Sequence, residues 1–143
     1  MIKITSLSPY ETTTLGEKLA VRLFAGSVVA LNGTLGSGKT CLVKGIAKGL
    51  GITENITSPT FTIINEYLRD NSPALYHIDA YRLNSSRDFE DIGGLEIIGS
   101  DNICLIEWSE RISKSIPGNA IIVTLEITGP SSRLILINGL EKL

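Results

Sequence analysis

Gly33-Thr34-Leu35-Gly36-Ser37-Gly38-Lys39-Thr40 has the spacing G-x-x-x-x-G-K-[ST] of a phosphate-binding P-loop. Its glycines allow positive φ and let the backbone approach phosphate oxygens without a Cβ in the way. The N–H groups of such a loop form an anion-binding nest at the positive end of the next helix. We expect Lys39 to reach the β- and γ-phosphates and Thr40 to place its hydroxyl on Mg²⁺. The expected nucleotide contacts in this stretch are Gly33, Leu35, Gly36, Ser37, Gly38, Lys39, Thr40 and Cys41.

The segments on either side of the loop predict the strand and the helix that this motif requires. Residues 28–31 are an apolar, β-branched run, as in a buried parallel strand. After the loop, apolar residues recur at three- and four-residue spacing from Leu42 to Leu50, and Gly51 is suited to end a helix. The motif therefore lies where a strand gives way to a helix.

Length and composition indicate one globular domain spanning residues 1–143, with 43% hydrophobic and 20% charged residues. The formal net charge of −2 argues against a free-standing nucleic-acid binder, which carries a basic excess. The two cysteines, Cys41 and Cys104, are expected to be small buried residues in a reducing compartment. No apolar run approaches the roughly 18 residues that span a bilayer. We expect a soluble, cytoplasmic protein that has no membrane partner.

The remaining pattern predicts a P-loop NTPase-like, three-layer α/β fold with a mixed, partly antiparallel central sheet. Residues 2–5 read as a strand, and a helix capped by Ser8, with Pro9 and Glu11 in its first turn, is expected to run to Gly26. Further strands are expected at 61–68, 74–78 and 103–106, the first two as an antiparallel pair. Short helices are expected at 84–94, before a turn at residues 93–94, and at 109–115. The chain then ends in a hairpin of residues 120–127 and 134–137.

Two acidic residues that follow predicted strands could complete the site. Glu107 ends the more apolar strand, and we therefore assign it to Mg²⁺ together with Thr40. Asp79 would then orient the attacking water or bind the metal indirectly. Either acid could instead be a solvated charge at a strand end.

Thr60 and His77 are weaker candidates. Thr60 follows Ser58-Pro59, and its hydroxyl could sense a γ-phosphate as a switch residue does, although a plain β-turn explains it equally well. His77 is the only histidine, and inside a strand it is expected to be packed or hydrogen-bonded rather than catalytic. The expected catalytic residues are Asp79, Thr60 and Lys39.

The sequence favours ATP over GTP as the nucleotide. Asp91-Ile92-Gly93-Gly94 fits the loose D-x-x-G pattern of GTPases, but no apolar strand leads into it, and no N-K-x-D guanine-reading motif occurs. A small-molecule kinase shares the P-loop but normally needs additional sequence for an acceptor pocket and a lid. A nucleotide-regulated binding module, in which hydrolysis is incidental, is the other alternative.

The motifs together resemble the TsaE (YjeE) family of small bacterial P-loop ATPases, which are required to make threonylcarbamoyladenosine in tRNA. The resemblance covers nearly the whole chain. It rests on Gly36-Ser37-Gly38-Lys39-Thr40, Ser58-Pro59-Thr60-Phe61-Thr62, His77-Ile78-Asp79-Ala80-Tyr81-Arg82 and Cys104-Leu105-Ile106-Glu107-Trp108. Thr34 is a departure, because family members commonly carry Asp there. We expect this difference to tune the loop rather than abolish its function.

The resemblance implies slow ATP hydrolysis with Mg²⁺, in complex with TsaD-like and TsaB-like partner proteins and in contact with tRNA only indirectly. It implies that Lys39 and Thr40 hold phosphates and metal, and that Glu107 binds Mg²⁺. Asp79 and Trp108 would serve the nucleotide site, and Glu110 and Arg133 match positions that touch the nucleotide. From its own surroundings, Arg133 is a charge beside a hairpin turn.

Trp108 follows Glu107 directly. Because side chains alternate along a strand, we expect the two to diverge, with one toward the metal and the other toward the rim. A ring there can stack on a base or close over the nucleotide. The alternatives are a tryptophan packed in the core or on a partner surface.

Overall fold

A strand, the P-loop and a helix form the centre of the molecule in a computed structural model that describes residues 1–57 and 63–143. The strands are β1 (Ile2–Ser6), β2 (Val28–Asn32), β3 (Ile64–Arg69), β4 (Ser72–Asp79), β5 (Ile103–Glu107), β6 (Ile121–Ile127) and β7 (Arg133–Asn138). The helices are α1 (Pro9–Ala20), α2 (Lys39–Gly49), α3 (Ser86–Asp91) and α4 (Gly94–Ile98), and a 3₁₀ helix spans Ser109–Ser115.

Within the described residues, the strands form one mixed sheet in the order β1-β7-β6-β2-β5-β4-β3. The four central strands, β6, β2, β5 and β4, are parallel, whereas β1, β7 and β3 pair antiparallel to their neighbours. Ligands of open α/β sheets bind outside the carboxyl ends of the parallel strands. The loop after β2 and the ends of β4 and β5 lie at that edge.

Helices cover both faces of the sheet, so the predicted three-layer fold is confirmed. On one face, α1 and α2 pack on a cluster that includes Leu31, Leu75 and Leu105. On the other face, Phe89 of α3 and Ile112 of the 3₁₀ helix pack against a cluster of inward side chains from β2, β4 and β5. β5 is buried along its whole length, as its continuous apolar run predicts. None of the helices in the described part of the chain has the length and apolar character needed to cross a membrane.

The N-terminal helix begins as predicted but ends earlier. Ser8 Oγ accepts a hydrogen bond from the Glu11 N–H at 3.1 Å, and Glu11 Oε2 accepts one from the Leu7 N–H at 2.6 Å. The prediction that Gly26 ends this helix is wrong, because α1 stops at Ala20. Gly26 instead has φ 92 and donates to the Asn102 carbonyl, in the loop that enters β2.

The other predicted elements occur with small changes in their bounds. β3 and β4 form the expected antiparallel pair, although β4 begins at Ser72 rather than at residue 74. The expected helix within 84–94 is α3, which is capped by Ser85. The turn expected at residues 93–94 lies one residue earlier, at 92–93, and α4 begins directly after it with Gly93 as N-cap at φ 84. The final hairpin is formed by β6 and β7.

Candidate nucleotide-binding site

The P-loop has a backbone conformation that glycine makes possible. Gly36 has φ 79 and Gly38 has φ 102, both in the left-handed region. Gly38 is the N-cap of α2 and provides no side-chain hydrogen bond, so the first N–H groups of the helix lack a side-chain cap. Ser37 Oγ is buried and has no hydrogen-bond partner among the described residues. A helix N-terminus of this kind is suited to hold an anion.

Lys39 is the cation at the base of this loop and is only 6% exposed. Its Nζ donates to the carbonyl oxygen of Gly33 and, at 3.2 Å, to that of Thr34. Burial lowers the pKa of Lys39 below its ordinary value, and the carboxylates of Glu107, Glu110 and Asp79 oppose that shift. The Lys39 ammonium group is thus partly desolvated and has three carboxylates nearby. A phosphate that entered the cleft would be a further strong partner for this cation.

A cleft of about 530 Å³ opens over the loop. Its lining combines the loop and the start of α2 with residues at the ends of β4 and β5: Leu35, Gly36, Ser37, Gly38, Lys39, Thr40, Cys41, Asp79, Tyr81, Glu107 and Trp108. A slightly larger cleft of about 590 Å³ lies between β1 and α1, and no residue predicted for the site lines it. The chemistry therefore points to the cleft at the loop.

The two predicted acids are neighbours across the sheet. Asp79 and Glu107 are paired in the parallel register of β4 and β5. Glu107 is 4% exposed, and its Oε2 lies 2.6 Å from His77 Nε2. Asp79 Oδ1 accepts a hydrogen bond from the Tyr81 N–H at 2.9 Å. Both carboxylates line the cleft, so neither is an isolated charge on the protein surface.

Trp108 does not continue the alternation of β5. It has φ 57, in the left-handed region, and is the N-cap residue of the 3₁₀ helix. Glu107 and Trp108 nevertheless both line the cleft, and Trp108 also packs against the cluster on the α3 face of the sheet. The expectation that one of the two side chains points toward the metal and the other toward the rim stays a prediction. Lys39 Nζ lies 4.3 Å from the centroid of the Trp108 ring, which is a cation–π contact. The Tyr81 ring packs on Trp108 with 5.0 Å between centroids, and the Arg111 guanidinium lies 5.0 Å from the Tyr81 centroid.

Arg133 and Glu110 contact the site from its outer side. The Arg133 guanidinium, at the start of β7, donates to the carbonyl oxygens of Ser37 and Gly36, both at 3.1 Å. It also donates to the carbonyls of Gly129 and Ser132, so it joins the hairpin to the P-loop. Glu110 Oε2 accepts a hydrogen bond at 2.7 Å from the Asn32 amide nitrogen, in the amide orientation that gives both the oxygen and the nitrogen of Asn32 suitable surroundings. Thr60 lies outside the described residues.

The residues at the cleft fit Mg²⁺ held jointly with a phosphate rather than in a protein cage. In the described part of the chain, no group of three or more His, Cys, Asp or Glu side chains could hold a metal ion. Mg²⁺ commonly takes one or two protein carboxylates, substrate phosphates and water. One hydroxyl, from Thr40, and one buried carboxylate, from Glu107, lining the same cleft match that donor set.

The similarity of this chain to known proteins covers most of its length and not only the P-loop. A model of the family described as "Threonylcarbamoyl adenosine biosynthesis protein TsaE" matches residues 6–135. The chain belongs to the TsaE family. It is 42% identical over 136 residues to a protein of Treponema pallidum, covering 95% of this chain and 99% of that protein. It is 38% identical over 132 residues to a protein of Bacillus subtilis, covering 92% and 82% of the two. Both proteins are named tRNA threonylcarbamoyladenosine biosynthesis protein TsaE.

A solved structure shares the fold. The crystal structure of Bacillus subtilis YdiB superimposes with a TM-score of 0.80 and 34% sequence identity, covering 94% of this chain and 82% of that one. The three-layer P-loop fold of the present TsaE-family chain is therefore found in a solved structure at substantial sequence identity.

Three contacts of this TsaE-family site were not predicted from the sequence. Tyr81 lines the cleft and packs on Trp108, Asn32 binds Glu110, and His77 binds Glu107. His77 could have been related to Glu107 from the sequence only if the pairing of β4 with β5 had been known. Tyr81 gave a clearer signal, since it stands two residues after Asp79 at a strand end, where ligands bind.

Proposed function

We propose that this TsaE-family chain is a Mg²⁺-dependent ATPase that serves the formation of N6-threonylcarbamoyladenosine in tRNA. The names of the family and of its relatives supply the pathway. The single observation that carries the ATPase assignment is the cleft that brings Lys39, Thr40, Asp79 and Glu107 to one edge of the sheet. In this proposal residues 1–143 act as one P-loop domain.

Each residue has a role that follows from its position. The uncapped N–H groups at the start of α2 and the Lys39 ammonium bind the phosphates and neutralise their charge. Thr40 and Glu107 hold Mg²⁺, which when bound neutralises charge that develops on the phosphate oxygens. Asp79, at the end of the adjacent strand, orients the water that attacks the γ-phosphorus. Trp108 covers one side of the nucleotide.

In this proposal Arg133 and Glu110 belong to the nucleotide site because each acts on a part of the P-loop. Arg133 donates hydrogen bonds to two P-loop carbonyls, so it stabilises the loop in the conformation that the structure shows. Glu110 lies close enough to Lys39 to affect the pKa of its ammonium group. The proposed partners are TsaB-like and TsaD-like proteins, and contact with tRNA is indirect. These partner assignments rest on the family resemblance.

The proposal is tested by measuring threonylcarbamoyladenosine in tRNA from Bacillus subtilis depleted of its own TsaE. The depleted cells would express this chain, its Glu107→Ala variant or its Lys44→Ala variant. Lys44 is the matched control, because it is an exposed residue on α2 that does not line the cleft. The Treponema pallidum relative serves as a second control for whether the cells accept a foreign TsaE.

We expect the unchanged chain and Lys44→Ala to restore the modified nucleoside and Glu107→Ala to leave it depleted. If the Treponema relative restores it while this chain, produced and folded, does not, the pathway assignment is wrong. If Glu107→Ala restores it as fully as the unchanged chain, the proposed Mg²⁺ site is not needed for the function.

A further inference from the structure

His77 is a buried polar residue to which the proposed function gives no role. It lies in the middle of β4, is 0% exposed and is the only histidine in the sequence. Its Nε2 lies 2.6 Å from Oε2 of Glu107, which belongs to the neighbouring strand. Both side chains are almost wholly removed from water, so this hydrogen bond is made in a low-dielectric setting, where it is strong and costly to lose.

The register of the two strands explains the contact. His77 is paired with Leu105 in the parallel ladder of β4 and β5, and Glu107 lies two residues further along β5. Residues two apart on a strand point to the same face, so the His77 ring and the Glu107 carboxylate share one side of the sheet. Leu105 on β5 and Leu75, two residues before His77 on β4, belong to the cluster that packs on α1 and α2. This is the side of the sheet on which the P-loop helix lies.

We assign the proton in this contact to Nε2. A carboxylate only accepts hydrogen bonds, so the ring nitrogen that faces Glu107 must be the donor. The other ring nitrogen, Nδ1, is buried and has no hydrogen-bond partner among the described residues. A proton placed on Nδ1 alone would therefore leave a buried donor unsatisfied and set two lone pairs against each other at Glu107.

The hydrogen bond fixes one end of the carboxylate that faces Lys39. Glutamate has a flexible side chain, and fixing such a side chain before a ligand arrives removes that ordering cost from binding. With Oε2 held by His77, Oε1 is the oxygen left for a cation in the cleft. The outer partners of metal ligands typically change metal affinity by about 10- to 100-fold when they are removed.

We infer that His77 is a positioning residue, which holds Glu107 in the orientation that binds the Mg²⁺ accompanying the nucleotide. This inference rests on the proposed function, because it assigns a support to the Mg²⁺ ligand named there. It differs from a purely structural role in one measurable respect. Loss of His77 would weaken the contribution of Mg²⁺ to nucleotide binding and leave Mg²⁺-free nucleotide binding nearly unchanged.

The test is calorimetric titration of ADP into the full chain, once with Mg²⁺ and once with a chelator. His77→Leu removes the donor at similar volume. His77→Gln is the conservative variant, since its side-chain amide can present an N–H close to the place of Nε2. Mg²⁺ should strengthen ADP binding to the unchanged chain. We expect this gain in affinity to be about 10-fold or more smaller in His77→Leu. We expect His77→Gln to recover most of it, and the chelated titrations of all three proteins to agree within about 2-fold.

The outcomes separate this inference from the proposed function. If the unchanged chain binds no ADP, or binds it without any effect of Mg²⁺, the proposed function fails. If the unchanged chain depends on Mg²⁺ and His77→Leu retains the full dependence, the positioning inference alone is overturned. Equal weakening with Mg²⁺ and with chelator also overturns it, because that result indicates a structural role.

A measurement on the unchanged chain covers the case in which His77→Leu does not fold. Since His77 is the only histidine, nitrogen NMR of histidine-labelled protein reports on this ring alone. We expect a proton on Nε2 that exchanges slowly with water, and a displaced Nε2–H resonance in Glu107→Gln. A ring that carries its proton only on Nδ1 would overturn the inference.

Discussion

Lys39 and Trp108 are in direct contact in the cleft. The Lys39 ammonium lies 4.3 Å from the Trp108 centroid and also donates to P-loop carbonyls. A nucleotide phosphate would compete for the same ammonium group. The Trp108 ring therefore reports on events at Lys39, although the two residues come from different elements.

The first prediction at this scale concerns Trp108 fluorescence. Because Trp108 is the only tryptophan, all tryptophan emission arises beside the P-loop. Titration with ATP should shift its intensity or emission maximum, since the phosphates draw Lys39 away from the ring. Lys39→Ala should weaken the response strongly at the same ATP concentrations. Saturable ATP binding in a calorimeter with an unchanged emission spectrum would contradict this placement of the ring.

The second residue-scale prediction concerns the two free cysteines. Burial raises the pKa of the Cys104 thiol to about 12, whereas Cys41 is half-buried and lines the cleft. The thiolate is the reactive form, so at about pH 8 iodoacetamide should label Cys41 and spare Cys104 in the folded protein. ATP should protect Cys41, and mass spectrometry of the digested protein would locate the label.

The raised pKa of Cys104 predicts how both the stability of the fold and the labelling of Cys104 change with pH. Cys104 keeps its proton in the folded protein above its ordinary pKa, while an unfolded chain releases it. Raising the pH above about 9 should therefore lower the free energy of unfolding, and folded Cys104 should stay unlabelled until the pH nears its raised pKa. Labelling of both cysteines at similar rates in the folded chain would show that Cys104 is not buried as described.

At the scale of elements, α1 and α2 are packed backbone to backbone. A Cβ built on Gly45 of α2 would lie 2.0 Å from the Thr13 carbonyl oxygen of α1, and one on Gly16 would lie 2.5 Å from the Leu42 carbonyl oxygen. Neither carbonyl can move without shifting a helix. These two glycines therefore set the distance between the helices, and with it the position of the helix that carries the P-loop.

Gly45→Ala should lower the free energy of unfolding by about 2–4 kcal/mol, because overpacking at a rigid contact forces the helices apart. Gly118→Ala is the matched control, since nothing lies within 4 Å of its Cβ position. That variant should differ from the parent by less than about 0.5 kcal/mol. Urea denaturation measures both values. Equal stability of the two variants would mean that α1 and α2 are not in this close contact.

The elements that the sequence predicted well are those with long, one-sided or continuous apolar patterns. The runs of β2 and β5, the period of α2 and the Ser8 cap all have a local physical cause. α4 has only five residues and begins after a left-handed Gly93, so it carries no periodic signal. The left-handed turn at Trp108 was equally hidden, because a non-glycine residue with positive φ depends on its surroundings.

At the scale of the whole molecule, the site depends on strands that are distant in the sequence. Asp79 and Glu107 become neighbours because β4 pairs with β5, and Arg133 reaches the P-loop because the β6–β7 hairpin lies on the other side of β2. The P-loop and both acids could be predicted from motif and strand-end position. The partners of these residues could not, because sequence patterns give strand identity but not strand order.

The most direct test of the central assignment is calorimetric titration of ATP into the purified chain, with and without Mg²⁺. We predict one site per chain, tighter binding with Mg²⁺, and binding weakened by about 10- to 100-fold in Lys39→Ala, since bonds to charged groups contribute about 1.5–3 kcal/mol. Lys44→Ala should bind like the parent. Absence of saturable ATP binding to the folded parent, or a Lys39→Ala variant that binds ATP as tightly as the parent, would contradict the account.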